Sequence, residues 1–405
     1  MTLLLIPTIA FLALTAGTFI PTHNLTSTPL TAAQPPAGFK LIERKSGNVS
    51  ITLRVPDSGI FAGEAIDIEF RVTDTTKVDP VFGATGIPRV VSKAVITMPE
   101  MAGMPEQRPK IHTEGIPGDY GIECFFPHGG EYKIALTLQI PGIAAPVRTD
   151  FLVDIRDEAA PGTRKAVVKP YTLDVKAKGS PKAGDATELQ FTIRETKSKA
   201  TVKDLDIAHT KIFHLLLVSK DLSWFAHEHP EQQPDGTFTH SQIFPAGGQY
   251  YTFADVAPRG AGSQILMGSV KIAGNVPAAV PLVPNGTTNT ADGIKANLKG
   301  TSNIPIGKSL PVTFQLTDTR TGDAITDLEP YLGAYGHLMI ILADGQTVVH
   351  SHPAEDELGI AQSKRGIVAF NARFPKAGIY KAWGQFQRGG KVVTIPFVIS
   401  VGGAK

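Results

Sequence analysis

Six of the eleven histidines fall into two matching sets, His214 with His227-Glu-His229-Pro and His337 with His350-Ser-His352-Pro. Neutral imidazole is a ligand for Cu, Zn, Ni and Fe, and three imidazoles converging on one point could hold an ion. Convergence requires a particular backbone. The intervening sequences, LLLVSKDLSWFA and LMIILADGQTVV, each read as a strand, a turn at Lys220-Asp221 or Asp344-Gly345, and a return strand. Alternation puts both histidines of HxH on one face, and pairing across the turn brings the first histidine onto that face as well. A turn centred on Lys220-Asp221 pairs His214 with His227, and one centred on Asp344-Gly345 pairs His337 with His352. Opposed Cβ atoms then stand about 4.5 to 5.5 Å apart, with the other HxH residue about 7 Å along the strand. The competing reading is a solvated sheet face, or core histidines bonded to backbone. Against it, all three histidines and the following proline persist in both copies, while Leu216, Trp224 and Phe225 have become Met339, Thr347 and Val348.

A second set of donors is soft. Met98-Pro-Glu-Met101-Ala-Gly-Met104-Pro holds three of the six methionines. Pro99, Gly103 and Pro105 bar a helix, so the thioethers are not a core stripe at helical spacing. Thioethers suit Cu(I) and are poor ligands for Mg or Ca. His112, and less directly His128, could complete this set. Met339 alternates onto the face of His337, which would make a mixed His/Met site there, and Met267 has no evident partner. The competing reading is methionine as an adaptable filler at the end of a domain. The single cysteine, Cys124, excludes an internal disulfide and any CxxC site, and reads as a buried, inert thiol.

The elements that carry these residues repeat three times. FPHGGEY at 126–132, FPAGGQY at 244–250 and FPKAGIY at 374–380 are one motif, and Gly63, Gly184 and Gly307 each stand seven residues before a strand phenylalanine. Alternating segments such as IDIEFRV, PVTFQL and VVTIPFVISV, with no long amphipathic helix, predict an all-β protein of three tandem immunoglobulin-like β-sandwich domains. The expected boundaries are 41–156, 166–274 and 294–402, separated by Pro/Gly-rich linkers at 156–170 and 274–293. FPxxGxY reads as structural, with the tyrosine plugging a sandwich end.

Lys+Arg and Asp+Glu number 39 and 37, and charged residues make up 19% of 405, so there is no electrostatic footprint for nucleic acid. Residues 1–20 carry an apolar run of signal-peptide length, to be cleaved or kept as an anchor, and 21–40 read as a Thr/Pro-rich linker. The expected location is therefore outside the cytoplasm, periplasmic or at the cell surface.

MPEMAGMP, GIPGDY and FPHGGEY together resemble the YtkA-like and FixH-like domains, immunoglobulin-like modules of exported or membrane-tethered bacterial proteins, over about residues 60–155. The later copies, with DLSWFAHEHP and VVHSHP, look like tandem modules that accompany such domains. The resemblance implies that Met98, Met101 and Met104 are copper ligands and that the role is copper handling or oxidase assembly. It does not extend to the histidine triads. The expectation is thus an exported, non-enzymatic copper-binding protein. Its Met loop would take Cu(I) and its histidine triads Cu(II) or Zn, with another exported metalloprotein as donor or acceptor. Two other classes compete. One is an adhesion or structural array in which the histidines are incidental. The other is a cupin-like non-haem metal enzyme, suggested by Gly345-x4-His350-x-His352-x4-Glu357, although the glycine spacing is one short and the partner half-motif is missing. No GxSxG, P-loop or GxGxxG precedes a helix.

Overall fold

Strict alternation of buried and exposed side chains builds the sheets. In Gly130–Gln139 the buried residues include Tyr132, Ile134, Leu136 and Leu138, and in Val147–Arg156 they include Val147, Phe151, Val153 and Ile155. The structure, a computed structural model, describes residues 38–403 apart from 80–82, 102, 158–168, 209, 352 and 354–356. The expected signal peptide or anchor and His352 lie outside the described residues. Within them the chain forms three tandem immunoglobulin-like sandwiches, each two antiparallel-dominated sheets closed on a core of its own. One short helix, Glu357–Ser363, is present among the described residues. None there is long and apolar enough to cross a membrane.

The repeated motif forms the same corner three times. Phe126, Phe244 and Phe374 are fully buried, and each backbone carbonyl accepts from the amide of the matching glycine, Gly63, Gly184 or Gly307. The tyrosine hydroxyl then donates to the carbonyl four residues upstream: Tyr132 to His128 at 3.1 Å, Tyr250 to Ala246 at 2.9 Å and Tyr380 to Lys376 at 2.8 Å. Between them Gly130, Gly248 and Gly378 have φ of 141°, 131° and 151°, a region side chains avoid.

One boundary differs from the sequence reading. Thr288–Ala291 is a strand paired with Ile294–Lys299, so the third sheet begins inside the stretch read as linker 274–293. Its residues TNTA carry no apolar alternation, which is why the pattern passes over it. The Asp292-Gly293 turn, with positive φ at both positions, is what closes the hairpin.

The second and third sandwiches are packed sheet to sheet. The strand Phe213–Ser219 sends Phe213, Leu215 and Leu217 into its own core and Leu216 and Val218 outward. His337–Leu342 does the same with Leu338 and Ile340 inward and Met339 and Ile341 outward. The outward residues, with Leu222, Phe253 and Trp383, form a fourth buried cluster between the domains. Phe225 stacks on Trp383 across it, ring centroids 4.8 Å apart at 15°. The first sandwich is joined to both others: Arg108 donates from its backbone to Gly260 at 2.6 Å, and Arg373 pairs with Asp157 at 3.1 Å.

Candidate metal centre

His214 and His227 share the outward face of this buried interface, 1% and 6% exposed, with the half-buried His229 at its border. His214 Nδ1 lies 3.4 Å from His227 Nε2 and 3.2 Å from His229 Nε2. Ligand nitrogens about 2.0–2.1 Å from a tetrahedral ion stand about 3.4 Å from one another, so the spacing matches that of ligands on one ion. The outer edges of two rings are held. His214 Nε2–H donates to the Ala208 carbonyl at 3.0 Å, and His227 Nδ1–H donates to Gln385 Oε1 of the third sandwich at 2.9 Å. These partners assign the tautomers that turn lone pairs of both rings toward the shared centre. His229 Nε2 lies within hydrogen-bond reach of the His214 Nδ1 lone pair, so a proton on His229 Nε2 bridges the two rings in the metal-free chain, and an ion would take that proton's place among the three nitrogens.

The hairpin register differs by two residues from the one expected. Leu216 pairs with His227 and Leu215 with Glu228, which continues to His214 opposite His229 instead of His227. The face is kept because the shift is even. Its cause is a wider loop. Ser219 closes onto Trp224 at 3.0 Å, and Leu222 takes φ of 58° inside the loop. The Asp221 carboxylate accepts from the Ser219 and Ser223 hydroxyls, both at 2.7 Å. Burial would raise that carboxyl, but these hydrogen bonds and those from the Ser223 and Val280 amides outweigh it and hold it at about 2.

In the third sandwich, Leu338 pairs with Ser351 and Met339 with His350, the register expected there. His337 is fully buried, and its Nε2–H donates to the Tyr331 carbonyl at 2.8 Å, six residues upstream, just as His214 donates to Ala208 six residues upstream. Its ring meets that of His227 edge-on across the interface, centroids 5.6 Å apart. His337 therefore approaches the His214 set across the junction between the two sandwiches. Met339 shares the face of His337 and is fully buried among the apolar residues there.

Met98, Met101 and Met104 lie on two successive turns after the strand Val91–Thr97, with Met101 N–H donating to Met98 at 3.0 Å and Met104 N–H to Met101 at 3.4 Å. All three are half-buried and line one cavity with His128. Burial pushes the His128 imidazole below its ordinary pKa, which keeps it neutral. His112 does not complete this set. It lies on Ile111–Thr113 in the six-stranded sheet, whereas the loop follows a strand of the opposite, four-stranded sheet. There its Nε2 is 3.0 Å from Asp67 and 2.8 Å from Glu114, a group whose ligand atoms also lie within 4.8 Å of one another. Burial raises the Asp67 carboxyl, opposed by His112 and aided by Glu114, Glu123 and Glu69. Cys124 is buried, and that burial raises its thiol pKa, as expected of an inert cysteine.

Residues 166–267 and 289–403 match a family model described as a domain of unknown function, DUF8832, over more than half of the chain, and residues 43–137 match the YtkA-like model. The chain belongs to the DUF8832 family and carries a YtkA-like domain. No curated protein sequence matches it. Among solved structures, a protein of Corynebacterium diphtheriae described as membrane-anchored aligns over 87% of this chain and 89% of its own at 11% identity and a TM-score of 0.19. Invasin, a bacterial integrin-binding protein, aligns over 87% of this chain and 60% of its own at 13% identity and the same TM-score. Scores this low carry no functional argument.

Within the DUF8832 segments, sequence reasoning found every histidine of the His214 set but missed Gln385, which orients His227 from the neighbouring domain. A glutamine in an alternating strand carries no local signal of that role. In the YtkA-like domain the three methionines line one cavity together, and His112, grouped with them by the sequence reading, lies on the other sheet. That reading also left Met267 alone, although this residue lines the same cavity as the methionine loop.

Proposed function

We propose that this protein is an exported, non-enzymatic copper-binding protein that buffers copper or delivers it to another exported metalloprotein. The observation that carries the reading is the convergence of His214, His227 and His229 in a buried interface, with the N–H groups of His214 and His227 anchored outward. A set of neutral imidazoles suits Cu(II), and Zn is its natural competitor. The resemblance of the first domain to YtkA-like modules and its three loop thioethers support copper over zinc as the cargo. Export rests on the apolar run at the N-terminus.

The test is metal content and affinity of the chain lacking its first 20 residues, titrated with Cu(II) against Zn(II) as competitor. The expected result is stoichiometric Cu(II) binding that is lost in His214→Ala and His227→Ala. Binding that is weak, nonspecific and indifferent to these substitutions would remove the copper reading and leave a structural array.

A further inference from the structure

Where the three sandwiches meet there is a cavity of about 190 Å³. Four of the chain's six methionines line it: Met98, Met101 and Met104 from the YtkA-like domain, and Met267 from the strand Gln264–Ile272 of the second sandwich. Packing does not account for three of them. Met101, Met104 and Met267 belong to none of the four hydrophobic clusters, and Met267 is 36% exposed on its strand. Met98 is fixed from below, because its methyl lies over Gly130, where an added Cβ would come within 2.2 Å of it.

His128 lines the same cavity. Its Nδ1 lies 3.2 Å from the Gly129 carbonyl and 3.3 Å from the Tyr132 hydroxyl, so Nδ1 carries the proton and Nε2 the lone pair. Three carboxylates also line the wall, and each already has a partner: Asp157 pairs with Arg373, Asp255 accepts from Ser263 at 2.5 Å, and Glu100 accepts from Ser309 at 2.6 Å. The soft donors the cavity offers an ion are four thioethers, and His128 adds one imidazole. Thioether-rich sets select soft monovalent copper over zinc, calcium or magnesium.

We propose that Met98, Met101, Met104, Met267 and His128 form one Cu(I) site shared by the first and second sandwiches, so that the methionine loop is only part of it. This rests on the copper reading and adds the residues that complete the site. It also links the two sets of ligands. Met267 pairs with Phe253, Phe253 with Leu216, and His214 lies two residues from Leu216 on that same outward sheet face. The thioether site and the histidine cluster thus lie two strands apart on one sheet.

The test uses Cu(I) itself, titrated anaerobically into the full chain against a chromogenic chelator, with X-ray absorption to count sulfur neighbours. Met267→Leu is nearly isosteric at a partly exposed position, so folding is kept, and a melting curve checks it. The expected result is one Cu(I) with three or more sulfur neighbours in the parent. In Met267→Leu, affinity falls about tenfold or more, at least what losing an outer partner of a ligand costs, and one sulfur is lost. Met267→Leu binding with parental affinity and sulfur count would overturn the proposal and leave the loop as the whole site. Failure of the parent to bind Cu(I), with Cu(II) still taken up at His214 and His227, would overturn it too while leaving the copper function standing. No uptake of either ion would bring down both.

Discussion

Gln385 is the sharpest probe of the histidine centre because it belongs to the other domain and would never touch the ion. Its Oε1 accepts the Nδ1–H of His227 at 2.9 Å, its Nε2 donates to Thr394 at 3.1 Å, and it is 5% exposed. In Gln385→Leu the His227 N–H is left buried without that acceptor, at a cost of about 1–3 kcal/mol to the metal-free fold. The ring also loses what fixes its tautomer, and such outer partners are worth about 10- to 100-fold in metal affinity, or about 1.4–2.7 kcal/mol. Gln385→Glu should act in the opposite direction, because a carboxylate makes the imidazole more basic and draws the metal in. The assay is competitive Zn(II) and Cu(II) titration of parent, Gln385→Leu and Gln385→Glu at one ionic strength. The order of affinity should be Glu above Gln above Leu, with binding weakening as pH falls because protons compete with the ion for the imidazoles. Gln385→Leu within twofold of the parent, while His227→Ala abolishes binding, would refute the orienting role. His227 would then be held by packing alone.

Three further outcomes follow from the same geometry. Trp383→Ala, which removes the ring stacked on Phe225 in the interdomain cluster, should cost about 3–5 kcal/mol in denaturant unfolding and weaken Cu(II) binding at the adjacent histidines. Asp221 is held at about 2 in the folded chain, below an unfolded value of about 3.9, so its carboxylate stabilises the fold above about pH 4 and that contribution disappears as pH falls from 4 through 2. Asp221→Asn should accordingly lower the Tm at pH 7, and the gap to the parent should close by pH 2; a constant gap would count against it. Tyr250→Phe should cost about 0.5–1.5 kcal/mol by removing the hydroxyl that closes the sandwich corner, and the same change at Tyr380 should give a similar loss, both read by thermal melts.

Much of the fold was written in the sequence, because what defines it is local. The alternation in GEYKIALTLQ fixes a strand, and FPxxGxY fixes a corner whose phenylalanine, glycine and tyrosine each have one job. The shared face of the histidines was legible for the same reason, since alternation does not depend on the turn. The pairing of His214 was not. It hangs on Leu222 adopting a left-handed backbone inside a loop that Asp221 organises, and an apolar residue there gives no warning. Residues whose role arises only when domains dock were equally silent: Gln385 orients a histidine of another sandwich, and Met267 reaches a cavity completed by a loop some 165 positions earlier. His112 was drawn to the methionines by nearness in sequence, but the chain crosses from one sheet to the other between the methionine loop and His112.

The apolar face shared by the second and third sandwiches also bears on the history of the chain. A tandem copy that is free in solution can be lost, shuffled or duplicated again at little cost. Once Leu216, Phe253, Met339 and Trp383 had come to cover one another, excising either unit would have stripped its sister of cover and left a greasy sheet exposed to aggregation. Losing either unit would thus cost the other its cover, whereas differences between the copies, such as Asp255 facing His214 where Gln385 faces His337, leave that cover intact.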